Sequence, residues 1–257
     1  MTRYRTRPRK VSRRNSAASD LIIGDAGTPK HAALKNHILR QLTASDRETL
    51  LAEADYIGLP VGETFTSVGD PISTAYFPDS GVISLVSEMR TGHQVAVAAV
   101  GAEGVVGVDA IFGIRHYPHS SVVLLGSRGY RLAADRFRRV FQQSETMRRA
   151  TLAHVGDRMW ELATAAACNR VHSYRQRLAR WLLITTDKAR QPSIPITHET
   201  LAQMVGGPRH AVTVALSELR AKGAIAHLRG RIDILQRSVL VEQACECYVA
   251  PAGLLGP

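Results

Sequence analysis

The feature that most constrains this chain is a change of periodicity near Asp135. From about Asp55 to Leu132, short runs rich in Val, Ile, Ala and aromatics alternate with turn residues. The runs are Tyr56–Pro60, Glu63–Val68, Thr74–Phe77, Val82–Met89, Gln94–Val100, Ser121–Leu125 and Tyr130–Leu132. Gly62, Gly69-Asp70-Pro71, Pro78-Asp79-Ser80-Gly81, Thr91-Gly92, Gly101 and Gly126 stand between them. Strands at such even spacing predict an antiparallel sandwich or jelly-roll β-roll. Beyond Asp135 the pattern becomes helical. Ser144 to Asn169 holds no proline and a single glycine, Gly156. The expected class is therefore α+β: an antiparallel β-roll, a long helix, then a C-terminal helical unit.

Before the strands, Leu34 to Ala54 has a helical apolar face (Leu34, Ile38, Leu42, Leu50, Leu51), with Thr43-Ala44-Ser45-Asp46 as capping chemistry inside it. Two short helices are expected there. In the long helix, Leu152, Val155, Met159, Leu162 and Ala166 follow a 3, 4, 3, 4 spacing, the seam along which two helices supercoil. The spacing alone equally suits a helix packed on its own domain. A further amphipathic helix is expected over 171–187, with Val171, Tyr174, Leu178, Trp181 and Leu182 inward and Arg170, Arg175, Arg177 and Arg180 outward. Gln191–Ile196 reads as extended, because its two prolines cannot sit inside a helix.

The segment from Thr197 to Leu219 parses as helix, glycine turn, helix. Thr197 caps the first helix, which buries Leu201, Ala202 and Val205. Gly206 suits a left-handed turn, and Pro208 suits the start of the second helix. Val212, Ala215, Leu216 and Leu219 face inward, which leaves Arg209, His210, Thr213 and Ser217 outward. Gly223 and Gly230 then frame a hairpin bearing Arg229 and Arg231, with Ile232–Leu235 as a strand. A helix-turn-helix followed by such a hairpin is a winged helix-turn-helix. Its physics suits double-stranded DNA. Arg209, at a positive helix N-terminus, can fork onto guanine. His210, Thr213 and Ser217 line the same face, Pro208 opens the helix at the same DNA-facing end, and Thr197, Arg229 and Arg231 lie where phosphates would run.

Charge supports this division. The net charge is +11. Residues 1–14 hold seven basic residues and no acid, and residues 168–237 carry a net +8. The large middle segment, 31–167, is nearly neutral, at −1. A basic module joined to a neutral one implies a polyanionic partner for the former. Residues 1–30 read as a disordered basic arm rather than a transit peptide, and Leu21–Ile23 is too short for a signal-peptide core. No apolar run approaches the roughly 20 residues that span a bilayer. Three cysteines do not make a disulfide scaffold, so a cytoplasmic location is expected.

Other motifs read as bland. Cys245-Glu246-Cys247 offers two soft ligands, too few for a zinc site, so no metal is expected. His116 and His119 flank Tyr117-Pro118 in a loop, and Gly101, Gly104 and Gly107 read as turn glycines. There is no HExxH, GxSxG or triad pattern, so an enzyme is not expected.

From about His31 to Leu240 the chain resembles the Crp/Fnr family of bacterial transcription regulators. Gly62-Glu63-Thr64-Phe65, Gly69-Asp70-Pro71, Ala75-Tyr76-Phe77 and Ser80-Gly81 are similar to the opening of its cyclic-nucleotide-binding β-roll. Gly104-Val105-Val106-Gly107 with Ile111-Phe112 resembles the segment carrying its phosphate-binding cassette. Thr197, Leu201-Ala202, Val205-Gly206, Arg209, Val212-Thr213, Leu216, Leu219 and Gly223-Ala224-Ile225 resemble its helix-turn-helix signature. The resemblance implies a homodimer through the long helix, a palindromic operator, contact with RNA polymerase and a small-molecule effector in the β-roll. It implies domains at 31–143 (sensor), 144–169 (dimerisation helix) and 170–240 (winged helix-turn-helix), with 241–257 as a tail.

Departures from the family narrow this. The acidic residue that family members use for a ribose hydroxyl is here Val108. Tyr117-Pro118-His119-Ser120-Ser121 lacks the phosphate-binding arginine, Arg115 being the nearest. Cyclic AMP is thus not expected to bind. The first cysteine is Cys168, which leaves no N-terminal iron–sulfur cluster, and no cofactor is expected. His210 and Val214 replace family recognition residues, so the family's usual half-site does not carry over. The rival expectation is a ligand- or redox-sensing β-roll module without specific DNA binding.

Overall fold

The computed structural model describes residues 34–91 and 94–248. The expected basic arm at 1–30 lies outside them, as does Gly92. Two short helices, α1 (His37–Arg40) and α2 (Ala44–Leu51), open the fold as the capping residues predict. The Thr43 hydroxyl accepts the Asp46 N–H at 3.1 Å. Asn36 caps α1 and is fully buried, its amide donating to the carbonyls of Pro78 and Gly104, both at 2.9 Å. These bonds stitch the first helix to the sheet behind it.

The β-roll comprises β1 (Asp55–Leu59), β2 (Thr64–Thr66), β3 (Thr74–Glu88), β4 (Gln94–Val100) and β5 (Ser120–Ala133). All pairings are antiparallel, in the order β1-β5-β3-β4, with β2 also on β5. Two of the expected turns are corrected here. Pro78–Gly81 and Gly126 do not separate strands, because β3 and β5 run straight through them. The ladder shifts register around Ser80 and Val82, so the residues form bulges that bend two long strands. Gly81 has φ +76°, and a Cβ there would stand 2.3 Å from the Gly126 carbonyl oxygen. The glycines are needed for close approach of the paired strands, which local pattern cannot distinguish from a turn.

One core lies under the roll: Phe77, Leu132 and Phe137 meet Ile38, Leu39 and Met147. Phe77 and Phe137 pack edge to face at 5.5 Å. Helix α3 (Ala134–Gln143) closes the roll, and α4 (Glu145–Val171) runs 27 residues from a Ser144 cap. Helix α5 (Tyr174–Ala189) begins at a Ser173–Gln176 capping box. The expected helix start at 171 is therefore corrected. Val171 ends α4 and is 70% exposed, and the helix is interrupted at His172–Ser173 before α5 begins.

The C-terminal unit holds β6 (Ser193–Ile194), α6 (His198–Val205), α7 (Arg209–Ala221), β7 (Ile225–Leu228), β8 (Arg231–Ile234) and α8 (Arg237–Gln243). Its sheet order is β6-β8-β7, all antiparallel. Leu178, Leu182, Leu201, Val212, Leu216 and Leu219 form its core. That core is continuous with Val82, Val86, Leu124 and Leu125 of the roll, and the Ser84 hydroxyl contacts Met204 Sδ at 3.3 Å. Helix α6 thus rests on β4, while α7 packs on α5 and α6.

Candidate nucleic-acid interface

Helix α6 is the pedestal for α7. Its Thr197 cap accepts the Thr200 N–H at 3.1 Å, and Leu201, Ala202, Met204 and Val205 are buried. Gly206 takes φ +69°, as a turn that reverses the chain after a helix requires. Gly207 was not singled out by the sequence, yet an added Cβ would lie 2.3 Å from the Tyr174 ring. Pro208 is the residue immediately before α7, in extended conformation, rather than within its first turn.

Helix α7 presents the expected face. Val212, Ala215, Leu216 and Leu219 are buried, whereas Arg209, His210, Thr213 and Ser217 are exposed. The Arg209 side chain is 71% exposed and only loosely paired with Glu199 at 3.8 Å. The unpaired N–H groups of the first turn make that end electropositive. Thr213 is less free than its exposure suggests, since its hydroxyl donates to the Arg209 carbonyl at 3.3 Å and also meets His198 Nδ1 at 3.3 Å. In the wing, Arg229 stands exposed beside Gly230 (φ +75°), while Arg231 is held by Asp233 at 3.0 Å.

Sequence reasoning missed His198 and His227, whose Nε2 atoms lie 3.1 Å apart and join α6 to the wing. Burial and then His198 push His227 below the ordinary histidine range. The α5 arginines do not form the free outer face that was expected. Arg177 donates to Asn169 at 2.9 Å, Arg180 to the Cys247 carbonyl at 3.2 Å, and Arg175 lies 3.6 Å from Glu218. These three serve internal contacts: Arg177 reaches back to the end of α4, while Arg175 and Arg180 meet α7 and the segment after α8.

On α4 the five seam residues divide. Leu152, Met159 and Leu162 are exposed, joined by Trp160, and Val155 packs partly into its own core. Ala166, further along the helix, is exposed as well. An apolar stripe is thus left uncovered along a single helix.

Inside the β-roll, Gly107 (φ +84°) opens a short 3-10 turn, Val108–Phe112, and Val108 is buried among apolar side chains. The space beside it measures about 20 Å³. Tyr117 donates its hydroxyl to the Thr74 carbonyl at 2.9 Å, His119 meets Ser87 at 3.0 Å, and Ser121 meets Thr66 at 2.5 Å. These groups satisfy one another.

A larger cavity, about 740 Å³, lies between α1, β4, α4 and α5. Lys188 of α5 sits in its wall and grips Glu103 at 2.7 Å and Glu161 of α4 at 3.0 Å. Burial is the largest single influence and would raise the Glu103 carboxyl, but the Lys188 ion pair and hydrogen bond, together with backbone N–H groups, hold it down at about 2. His154 stands against the 101–105 loop, where a Cβ on Gly104 would come within 2.2 Å of its ring. Burial, with Arg158 beside it, pushes His154 down to about 3, so the ring is neutral at pH 7. Its Nε2 accepts from Arg158 at 3.1 Å and from the Val105 N–H at 3.5 Å. Roll, long helix and α5 are thus coupled through charged side chains.

These features define a class: a β-roll joined by a long helix to a winged helix-turn-helix DNA-binding domain. Residues 57–144 match the cyclic nucleotide-binding domain, and residues 176–243 match the Crp-like helix-turn-helix domain. Solved structures share the layout. A CRP-family transcriptional regulator from Thermus thermophilus is 20% identical, with a TM-score of 0.65 over 75% of this chain and 98% of its own. The c-di-GMP responsive global regulator CLP of Xanthomonas campestris is 18% identical, with a TM-score of 0.63 over 76% and 100%. FixK2 from Bradyrhizobium japonicum is 13% identical, with a TM-score of 0.64 over 75% and 98%. No curated protein sequence matches. The chain thus joins a cyclic nucleotide-binding domain to a Crp-like helix-turn-helix domain, in the fold of CRP/FNR-family transcriptional regulators. Among the described residues, no helix is long and apolar enough to cross a membrane.

Proposed function

We propose that this protein is a homodimeric, cytoplasmic, sequence-specific DNA-binding regulator whose β-roll answers to an effector other than cyclic AMP. The observation that carries the reading is the free N-terminal turn of α7, with Arg209 exposed on a rigid α6 pedestal. Such a helix enters the major groove with its first residues on base edges. Arg209 reads a base. His210, Thr213 and Ser217 line the same groove from a helix opened by Pro208, while Thr197, Arg229 and Arg231 border the phosphates.

The dimer forms along Leu152, Val155, Met159, Leu162 and Ala166, and the apolar exposure of most of that stripe supports it. Pairing through α4 sets two recognition helices about 34 Å apart, matched to a palindromic operator. The filled interior beside Val108 supports the exclusion of cyclic AMP. The small-molecule effector enters the larger cavity. An occupant there touches both α4 and α5 and shifts the angle between them, which is the coupling allostery requires. RNA polymerase is the remaining partner of an operator-bound dimer.

Selection from random duplexes tests this. A two-fold symmetric site is expected, with affinity falling steeply as salt rises. Arg209→Ala should lose about 1–3 kcal/mol on that site and far less on random duplex. No enrichment at near-physiological salt would leave the rival reading, a sensing module without specific DNA binding, which the cavity also favours.

A further inference from the structure

Four metal-ligating side chains converge where α4 ends and the chain returns after α8. Cys168 and His172 stand one turn apart at the close of α4, and Cys245 and Cys247 approach from the other side. Their donor atoms all lie within 4.8 Å of one another. Cys168 Sγ is 3.5 Å from Cys245 Sγ, and Cys247 Sγ is 3.6 Å from His172 Nδ1. A tetrahedron with metal–sulfur bonds of about 2.3 Å and a metal–nitrogen bond of about 2.0 Å has edges of about 3.5–3.8 Å. Both separations suit that figure.

The surroundings fit as well. His172 Nε2 lies 3.1 Å from the Glu246 carboxylate. When Nε2 carries the proton and donates there, the Nδ1 lone pair is left for the cluster. Metal-bound imidazoles are oriented in this way. Cys168 and Cys245 are buried and unbridged, and Cys247 is half-buried. Three sulfurs and one imidazole select a soft, tetrahedral cation over magnesium or calcium. An iron–sulfur cluster would hold its ligands further apart, since they bind different irons.

We propose that Cys168, His172, Cys245 and Cys247 bind one Zn²⁺ per chain in a closed Cys3His site, the three thiol protons passing to solvent. This replaces the expectation that the Cys-x-Cys pair stands alone. The site crosses the break at His172–Ser173. The returning segment is already tied to α5, with the Tyr248 hydroxyl donating to Asp187 at 2.7 Å and Arg237 pairing with Asp187 at 2.7 Å. Zinc adds the link to α4 and so fixes the angle between the long helix and the winged unit.

The test reads metal content of the full chain, purified with reductant from zinc-supplemented cells, with no DNA present. About one zinc per chain is expected, falling at least tenfold in Cys247→Ser and His172→Ala while circular dichroism is retained. Cobalt loading of the wild-type chain should give intense thiolate charge-transfer and tetrahedral d–d absorption. Under about a tenth of an equivalent of zinc in the wild-type chain would overturn the proposal. So would a Cys168–Cys245 disulfide under reductant, or zinc undiminished in both variants. Because DNA is absent, failure here is distinct from failure of the regulator reading.

Discussion

Lys188→Met removes the cation that holds Glu103 and Glu161 together across roll, long helix and α5. The Lys188 side chain is 11% exposed, and its carboxylate partners are 30% and 26% exposed. Glu103 titrates at about 2 instead of 4.5. A gap of that size corresponds to about 3 kcal/mol at 1.36 kcal/mol per unit, a net figure in which burial works against Lys188 and the Gly101 N–H works with it. Breaking a buried pair leaves uncompensated charge and costs about 3–5 kcal/mol, and partial exposure favours the low end. A loss of about 2–3 kcal/mol at pH 7 is expected, read as a lower urea midpoint at unchanged slope by fluorescence of Trp181, which packs partly into the α5 core. The folded pKa of Glu103 is depressed, so its contribution is complete above pH 4.5 and fades as the pH falls towards 2. The deficit of the variant should shrink over the same window. A variant within about 0.5 kcal/mol of wild type at pH 7, or a deficit unchanged at about pH 2.5, would refute this account of the junction.

Two further outcomes follow from local geometry. Met159→Glu with Leu162→Glu should convert the proposed α4 dimer to a monomer in sedimentation without loss of helix signal, since both side chains are exposed within one chain. A persistent dimer would place the interface elsewhere. Gly207→Ala brings a Cβ against the Tyr174 ring and should destabilise the chain by about 1–3 kcal/mol in thermal unfolding. An unchanged melting temperature would show that Tyr174 yields freely.

Periodicity is enough to predict much of this molecule. The two capped helices at the start, the strand-rich segment, the long helix and the glycine-turned pair α6–α7 all follow from local spacing and capping. The inward residues Val212, Ala215, Leu216 and Leu219 are legible because a 3.6-residue period leaves one choice of buried face. The exposure of Arg209 follows from the same geometry.

What lies beyond the sequence is what distant segments do to one another. Pro78–Gly81 looks like a turn until β3 and β5 meet and need glycine for contact. The α5 arginines look free until neighbouring segments supply acceptors. Cys168 and Cys245 are 77 positions apart, and no local spacing announces that they share a site with His172 and Cys247. Local patterns are set by backbone period and capping chemistry, which each residue carries alone. Ligand sets, charge triads and close glycine contacts exist only once packing has brought remote side chains within a few ångströms.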